Sequence, residues 1–226
     1  MKNLYVTGYD AKKHKTVYFE REYIPVKEGK QMVELTLPVS PEVLNIDIKG
    51  EGYELQKVDT YLMQDTKAGM DEHLKAFLTF IEDFAQNMHY EPVGYQYASK
   101  DDKFAVNWDA VIVDNEQGKL VTPLRIDHGN FHIDASAEKL KGFTVPMFVT
   151  DCLHEYTHAR ENTKDETYCD LKGVKLAWTR GYMSTEIMKA FTTVFDDTPV
   201  NIQRINAIDN YLHILNNTNG GFRPHI

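Results

Sequence analysis

Hydrophobic positions along this chain change their period at two points. In the first sixty residues apolar and polar positions alternate in short runs, at 16–19, 32–37 and 43–48, broken by Gly29, Pro38, Pro41, Gly50 and Gly52. A period of two belongs to strands with one buried face, so this part predicts a small antiparallel β module. Over 70–89 the period becomes three to four: Leu74, Phe77, Leu78, Ile81, Phe84, Ala85 and Met88 fall on one side, with Asp71 placed as an N-cap. That pattern predicts an amphipathic helix. A second β stretch covers about 94–136, with a hairpin in which the runs from 104 to 113 and at 120–121 flank the turn-like 114–118. Phe131, Ile133 and Ala135 alternate with His132, Asp134 and Ser136, predicting a short strand with one apolar face.

Beyond Thr144 the spacing predicts three or four helices. Pro146 stands near a first turn, Gly181 after a last one, Ser184 as an N-cap, and Pro199 ahead of Ile202, Ile205, Ile208, Leu212 and Leu215, with 216–226 as a frayed tail. The fold class expected is α+β, with a β-rich N-terminal module over 1–65 and a second domain over 66–226.

Composition narrows the possible partners. Of 226 residues, 42% are hydrophobic and 26% charged, ordinary for a folded globular chain. Lys and Arg number 25 against 34 Asp and Glu, a formal net charge of -9, and there is no basic block. Nucleic acid and anionic membrane surfaces are therefore poor partners. Two cysteines, Cys152 and Cys169, cannot make a disulfide framework, and no stretch has the length of a membrane span or the look of a signal peptide. The expectation is a soluble protein acting in the cytoplasm, with a virion as a further possibility.

Chemistry enters with His154-Glu155-Tyr156-Thr157-His158, an HExxH pattern inside a predicted helix. Residues four apart share a helical face, so both imidazoles can bind one zinc ion while Glu155 points to its open side as general base and acid. With nine histidines present, chance yields the pattern in roughly one chain in forty of this composition. The alternative is two surface histidines on an amphipathic helix.

A catalytic zinc takes three protein ligands and leaves one position for water. The metzincin continuation fails, because Glu161 and Lys164 occupy the positions of its glycine and last histidine. Eight residues past His158, Glu166 and Asp170 place two carboxylates four apart. Glu166 can complete the shell and Asp170 can orient a ligand imidazole through its other nitrogen. Thr163 to Glu166 also reads as a capping box, in which Glu166 serves a helix start. Glu161, Asp165 and Asp170 remain alternative ligands.

HExxH followed by ExxxD resembles the metal signature of the gluzincin metallopeptidases. The segment 198–205, Thr-Pro-Val-Asn-Ile-Gln-Arg-Ile, resembles the His-Pro and downstream Arg-Ile segment of the CAAX prenyl protease and HtpX type. The likeness covers about 143–215. It implies a zincin-like metallopeptidase domain over 66–226, zinc on His154, His158 and Glu166, catalysis by Glu155, Asp170 behind the ligands, and Arg204 lining the site. Thr198 stands where that family has histidine, and the family's membrane helices are absent. The short gap from His158 to Glu166 is closer to small soluble zincins of phage and mobile elements.

Other candidates are weaker. His128 and His132 flank a glycine and could form a second metal site, though a turn beside a strand explains them. The stretch 130–136 resembles the edge strand on which gluzincins lay extended substrate, or is an ordinary sheet strand. Tyr182, Tyr211 and His213 are candidate hydrogen-bond donors to a transition state, with packing as the alternative role, and Cys169 reads as a small buried apolar residue. The expected function is zinc-dependent hydrolysis of peptide bonds in a peptide or protein substrate. The competing expectation is a catalytically silent zincin-fold structural or assembly protein, and a third is hydrolysis of non-peptide amides.

Overall fold

A computed structural model describes residues 3–23, 32–52, 54–61, 66–114, 118–120, 122–127 and 129–218. Strands β1 (Leu4–Asp10), β2 (Val17–Tyr23) and β3 (Leu44–Lys49) form an antiparallel sheet in the order β2-β1-β3. β1 is a strand that the alternation did not single out. Gly8 on β1 faces Phe19 on β2, whose ring occupies the space a side chain would need: a Cβ there would lie 2.2 Å from the ring. Val6, Tyr18 and Phe19 are buried in the same apolar cluster as the helices that follow.

Residues 32–37, expected as a strand, are not one. Among the described residues the segment has no strand partner, and side chains pin it instead. The Thr36 amide donates to Met183 Sδ, Arg180 Nη2 donates to the Pro38 carbonyl, and Leu35 and Leu37 pack against the core. Alternation alone cannot make a strand where no neighbouring edge is available.

Helix α1 (Glu72–Asn87) forms as the period predicts. The Asp71 side chain accepts the Leu74 amide at 3.0 Å, and Leu74, Phe77, Leu78, Ile81, Phe84 and Ala85 are buried. Strands β4 (Tyr95–Ala98), β5 (Phe104–Asp109), β8 (Leu124–Ile126) and β9 (Phe131–Ser136) build the second sheet, in the order β4-β5-β9-β8. β6 (Val113–Asp114) and β7 (Gly118–Lys119) pair as the expected hairpin, whose turn at 115–117 lies outside the described residues.

On β9, Ile133 and Ala135 face the core. On the opposite face a polar row runs from Gln96 through Asn107 and Asp134 to Arg125. β9 lies between β5, to which it is parallel, and β8. Of the two readings of 130–136, the ordinary sheet strand is therefore the one observed, and β8 takes the edge on that side. The parallel pairing joins elements far apart in sequence, and hydrophobic period carries no record of it.

After the short α2 (Ala137–Leu140), α3 (Val145–Glu161) is capped by Thr144, and almost all of it from Val145 to His158 is buried. It is the central helix. It ends at Asn162 in the left-handed conformation (φ 48°), and α4 (Glu166–Arg180) ends at Gly181 (φ 101°). α5 (Ser184–Val194) and α6 (Pro199–Thr218) complete the bundle. Ser184 is not a cap: Met183 occupies that position without a side-chain bond, and Ser184 Oγ instead bonds Asn216. Residue 216 is still helical, and 219–226 lie outside the described residues. Among the described residues no helix is long and apolar enough to cross a membrane.

Candidate metal centre

His154 and His158 project from one face of α3, with their Nε2 atoms 3.0 Å apart. Glu166, the first residue of α4, places Oε2 3.4 Å from His154 Nε2 and Oε1 3.5 Å from His158 Nε2. These are the only residues among those described that could converge as ligands on one ion. A tetrahedral zinc with bonds of about 2.0–2.1 Å holds neighbouring ligand atoms roughly 3.3–3.4 Å apart. The two imidazole nitrogens and one Glu166 oxygen all lie within 4.8 Å of one another, close enough to converge on one such ion.

The turn between the helices makes this possible. The left-handed Asn162 stops α3, and the Asn162 and Thr163 amides both return to the His158 carbonyl. Asp165, not Thr163, caps α4, accepting the Tyr168 amide at 3.0 Å. The capping box is thus replaced and the Glu166 carboxylate is left for the centre. Asp165 is committed to that cap and Glu161 lies 3.9 Å from Lys172, so neither competes as a ligand.

The far nitrogens of both imidazoles also face acceptors. His158 Nδ1 donates to the Thr163 carbonyl at 2.8 Å, and His154 Nδ1 lies 3.0 Å from Asp170 Oδ1, close enough for an ion pair although not aligned as a hydrogen bond. With a proton on each Nδ1, both Nε2 lone pairs are directed to the centre. Asp170 is itself fixed by Arg204, through Nε at 2.6 Å and Nη2 at 2.9 Å, and Nη2 also reaches Glu166 at 3.1 Å. The Arg204 guanidinium lies over the Phe195 ring, 4.2 Å from its centre.

Close approach of α4 to α3 depends on Gly173. A Cβ there would meet the His154 backbone at 3.0–3.1 Å, so the helices touch main chain to main chain beside His154. An isolated glycine inside a helical pattern is the sequence signal that marks such a contact.

Electrostatics favour a dication. Counting the imidazoles as neutral, Glu155, Glu166 and Asp170 face the single guanidinium of Arg204, leaving two negative charges in a largely buried place. In the metal-free chain protons fill this role. Burial by itself lowers the His154 imidazole, but the Asp170 and Glu166 carboxylates outweigh it and push it up to about 10. The same imidazoles hold Glu166 far below the usual carboxylate range, while burial raises Glu155. One turn earlier, burial pushes Asp151 up to about 8, and its Oδ2 has no hydrogen-bond partner among the described residues.

Glu155 points from α3 to the edge strand, its Oε2 accepting the Ile126 amide at 3.0 Å. No pattern in the sequence announces this contact across 29 residues. Tyr182 is not at the site. It is buried with its hydroxyl 3.2 Å from Glu82 Oε1, in a separate ionic cluster. Tyr211 packs against the core and His213 is 71% exposed beside Asp209. Cys169 is fully buried, as expected of a small apolar residue. His132 lies in an open polar depression on the outer face of the sheet with Asn107, Arg125 and Asp134, and His128 lies outside the described residues. Comparison with protein-family models, with curated proteins and with solved structures gives no match, so the geometry of the site is what any functional reading has to stand on.

Proposed function

We propose that this chain is a zinc-dependent hydrolase of peptide bonds with a gluzincin-like site on a zincin-like fold. The observation that carries the reading is the convergence of His154, His158 and Glu166, whose ligand atoms all lie within 4.8 Å of one another. Zinc bound there supplies a Lewis acid that polarises a carbonyl and acidifies water. Glu155, beside the first ligand, takes the proton of the attacking water and returns it to the leaving amine. Burial raises its carboxyl above the usual carboxylate range, the direction that suits a group that must accept a proton. Asp170 and the Thr163 carbonyl keep the two imidazoles oriented, and Arg204 keeps Asp170 and Glu166 in place.

The edge strand β8 lies beside α3 and offers main-chain groups to an extended peptide. Metal analysis of the purified chain is expected to find close to one zinc. Glu155→Gln is expected to retain that zinc and to lose cleavage of a peptide library. A variant that cleaves as well as the parent, or a chain that stays empty in excess zinc, overturns the assignment.

A further inference from the structure

The Ile126 amide is the feature of the site that peptide hydrolysis does not by itself require. In the β8–β9 ladder the Asp127 amide donates to the His132 carbonyl and the Ser136 amide to the Pro123 carbonyl. Positions 123, 125 and 127 therefore turn their main-chain groups toward β9, and 124 and 126 turn theirs away from it, to the side where no further strand pairs among the described residues. Such groups invite pairing with another strand. Here two of them are occupied by the chain's own side chains: Thr122 Oγ1 donates to the Leu124 carbonyl at 2.7 Å, and the Ile126 amide donates to Glu155 Oε2 at 3.0 Å. The base assigned to the water is thus held by the very donor that an added strand needs.

We propose that the Ile126 amide couples substrate docking to release of the base, which makes extended polypeptide, rather than small amides, the substrate class of this site. The inference rests on the peptidase reading above. In the resting chain Ile126 clasps Glu155. An extended peptide laid along β8 offers a carbonyl oxygen to the same N–H, and the carboxylate, losing its donor, turns to the water. A ligand too short to reach β8 leaves the clasp closed. The Ile126 amide exchanges a carboxylate acceptor for a peptide carbonyl while the water gives the carboxylate a new donor, so the number of hydrogen bonds is kept and the presence of the peptide carbonyl decides the exchange.

Two measurements test this on the zinc-loaded full chain. The first is amide hydrogen exchange read by NMR. Glu155→Ala is expected to speed exchange of the Ile126 amide about tenfold or more, the loss of one hydrogen bond to a charged acceptor. The Arg125 and Asp127 amides, which face β9, should not change. An unchanged Ile126 rate overturns the clasp whether or not the protein cleaves anything.

The second uses Ile126→Pro, which removes the N–H from an outward position of an edge strand, where proline is tolerated, with Ile126→Val as the side-chain control. A long peptide and a short amide sharing its scissile bond are compared. The proline variant is expected to raise KM for the long peptide about tenfold, while kcat for the short amide rises about threefold because the base is no longer clasped. The valine variant, which keeps the N–H, should retain the parent's ratio of kcat/KM for the two substrates. A parallel fall for both substrates overturns the coupling, since a merely structural role lowers both. If the parent cleaves neither substrate, the peptidase reading and the coupling fall together, and the exchange result separately decides the clasp.

Discussion

Helix α4 carries a buried polar cluster at each end, and the two are built on opposite principles. At its C-terminal end Arg180 donates to Glu82, Lys67 pairs with the same carboxylate at 2.6 Å, and Tyr182 and Thr66 complete the set. Cations and anions there answer one another directly. At its N-terminal end His154, His158 and Glu166 direct lone pairs to a common point, and the carboxylates outnumber the single guanidinium of Arg204. A buried ionic cluster in which two cations meet one carboxylate directly ties elements together. One that converges its acceptors and keeps surplus negative charge is suited to an added cation. The contrast explains why Tyr182, attractive in sequence, serves packing rather than chemistry.

The comparison can be broken most sharply at the first ligand. His154→Ala should abolish zinc binding measured by calorimetry, a loss larger than the roughly 10–100-fold that outer partners cost. The zinc-induced rise in Tm expected of the parent should vanish with it. Retention of tight binding would show that the N-terminal cluster is no more a cation site than the other. Arg180→Met leaves the buried Glu82 carboxylate without its main partner and should cost about 3–5 kcal/mol in denaturant unfolding, with zinc affinity per folded molecule unchanged.

Asp170→Asn should weaken zinc roughly 10–100-fold while the chain still folds, because the His154 ring loses its charged partner. An unchanged affinity would remove Asp170 from the centre. Gly173→Ala is the subtlest change. Helix propensity alone favours alanine by about 1 kcal/mol, so a net loss of about 1–2 kcal/mol would report the clash with the His154 backbone. A gain in stability would mean that α4 can move off α3 freely.

Much of this molecule can be read in its sequence where the information is local. α1, its Asp71 cap and its buried face follow from spacing alone. HExxH needs only the pitch of one helix to bring His154 and His158 together. Glu166 was harder, because Thr163 offered a competing use for it. Asp165 took the cap, and three-dimensional proximity to the imidazoles decided the rest. Residues 32–37 failed as a strand because alternation marks a preference, whereas a strand needs a partner edge.

The chain order of its residues therefore determined the helix pitch that pairs two imidazoles, the acidic balance around them, and the mixed α+β character, since each depends on neighbours within a few positions. Tertiary packing decided the rest: that β8 rather than β9 takes the sheet edge among the described residues, that Gly173 lets two helices touch beside His154, and that Ile126 holds Glu155. These contacts join residues tens of positions apart, and their energies depend on distance in space, which a linear pattern does not encode.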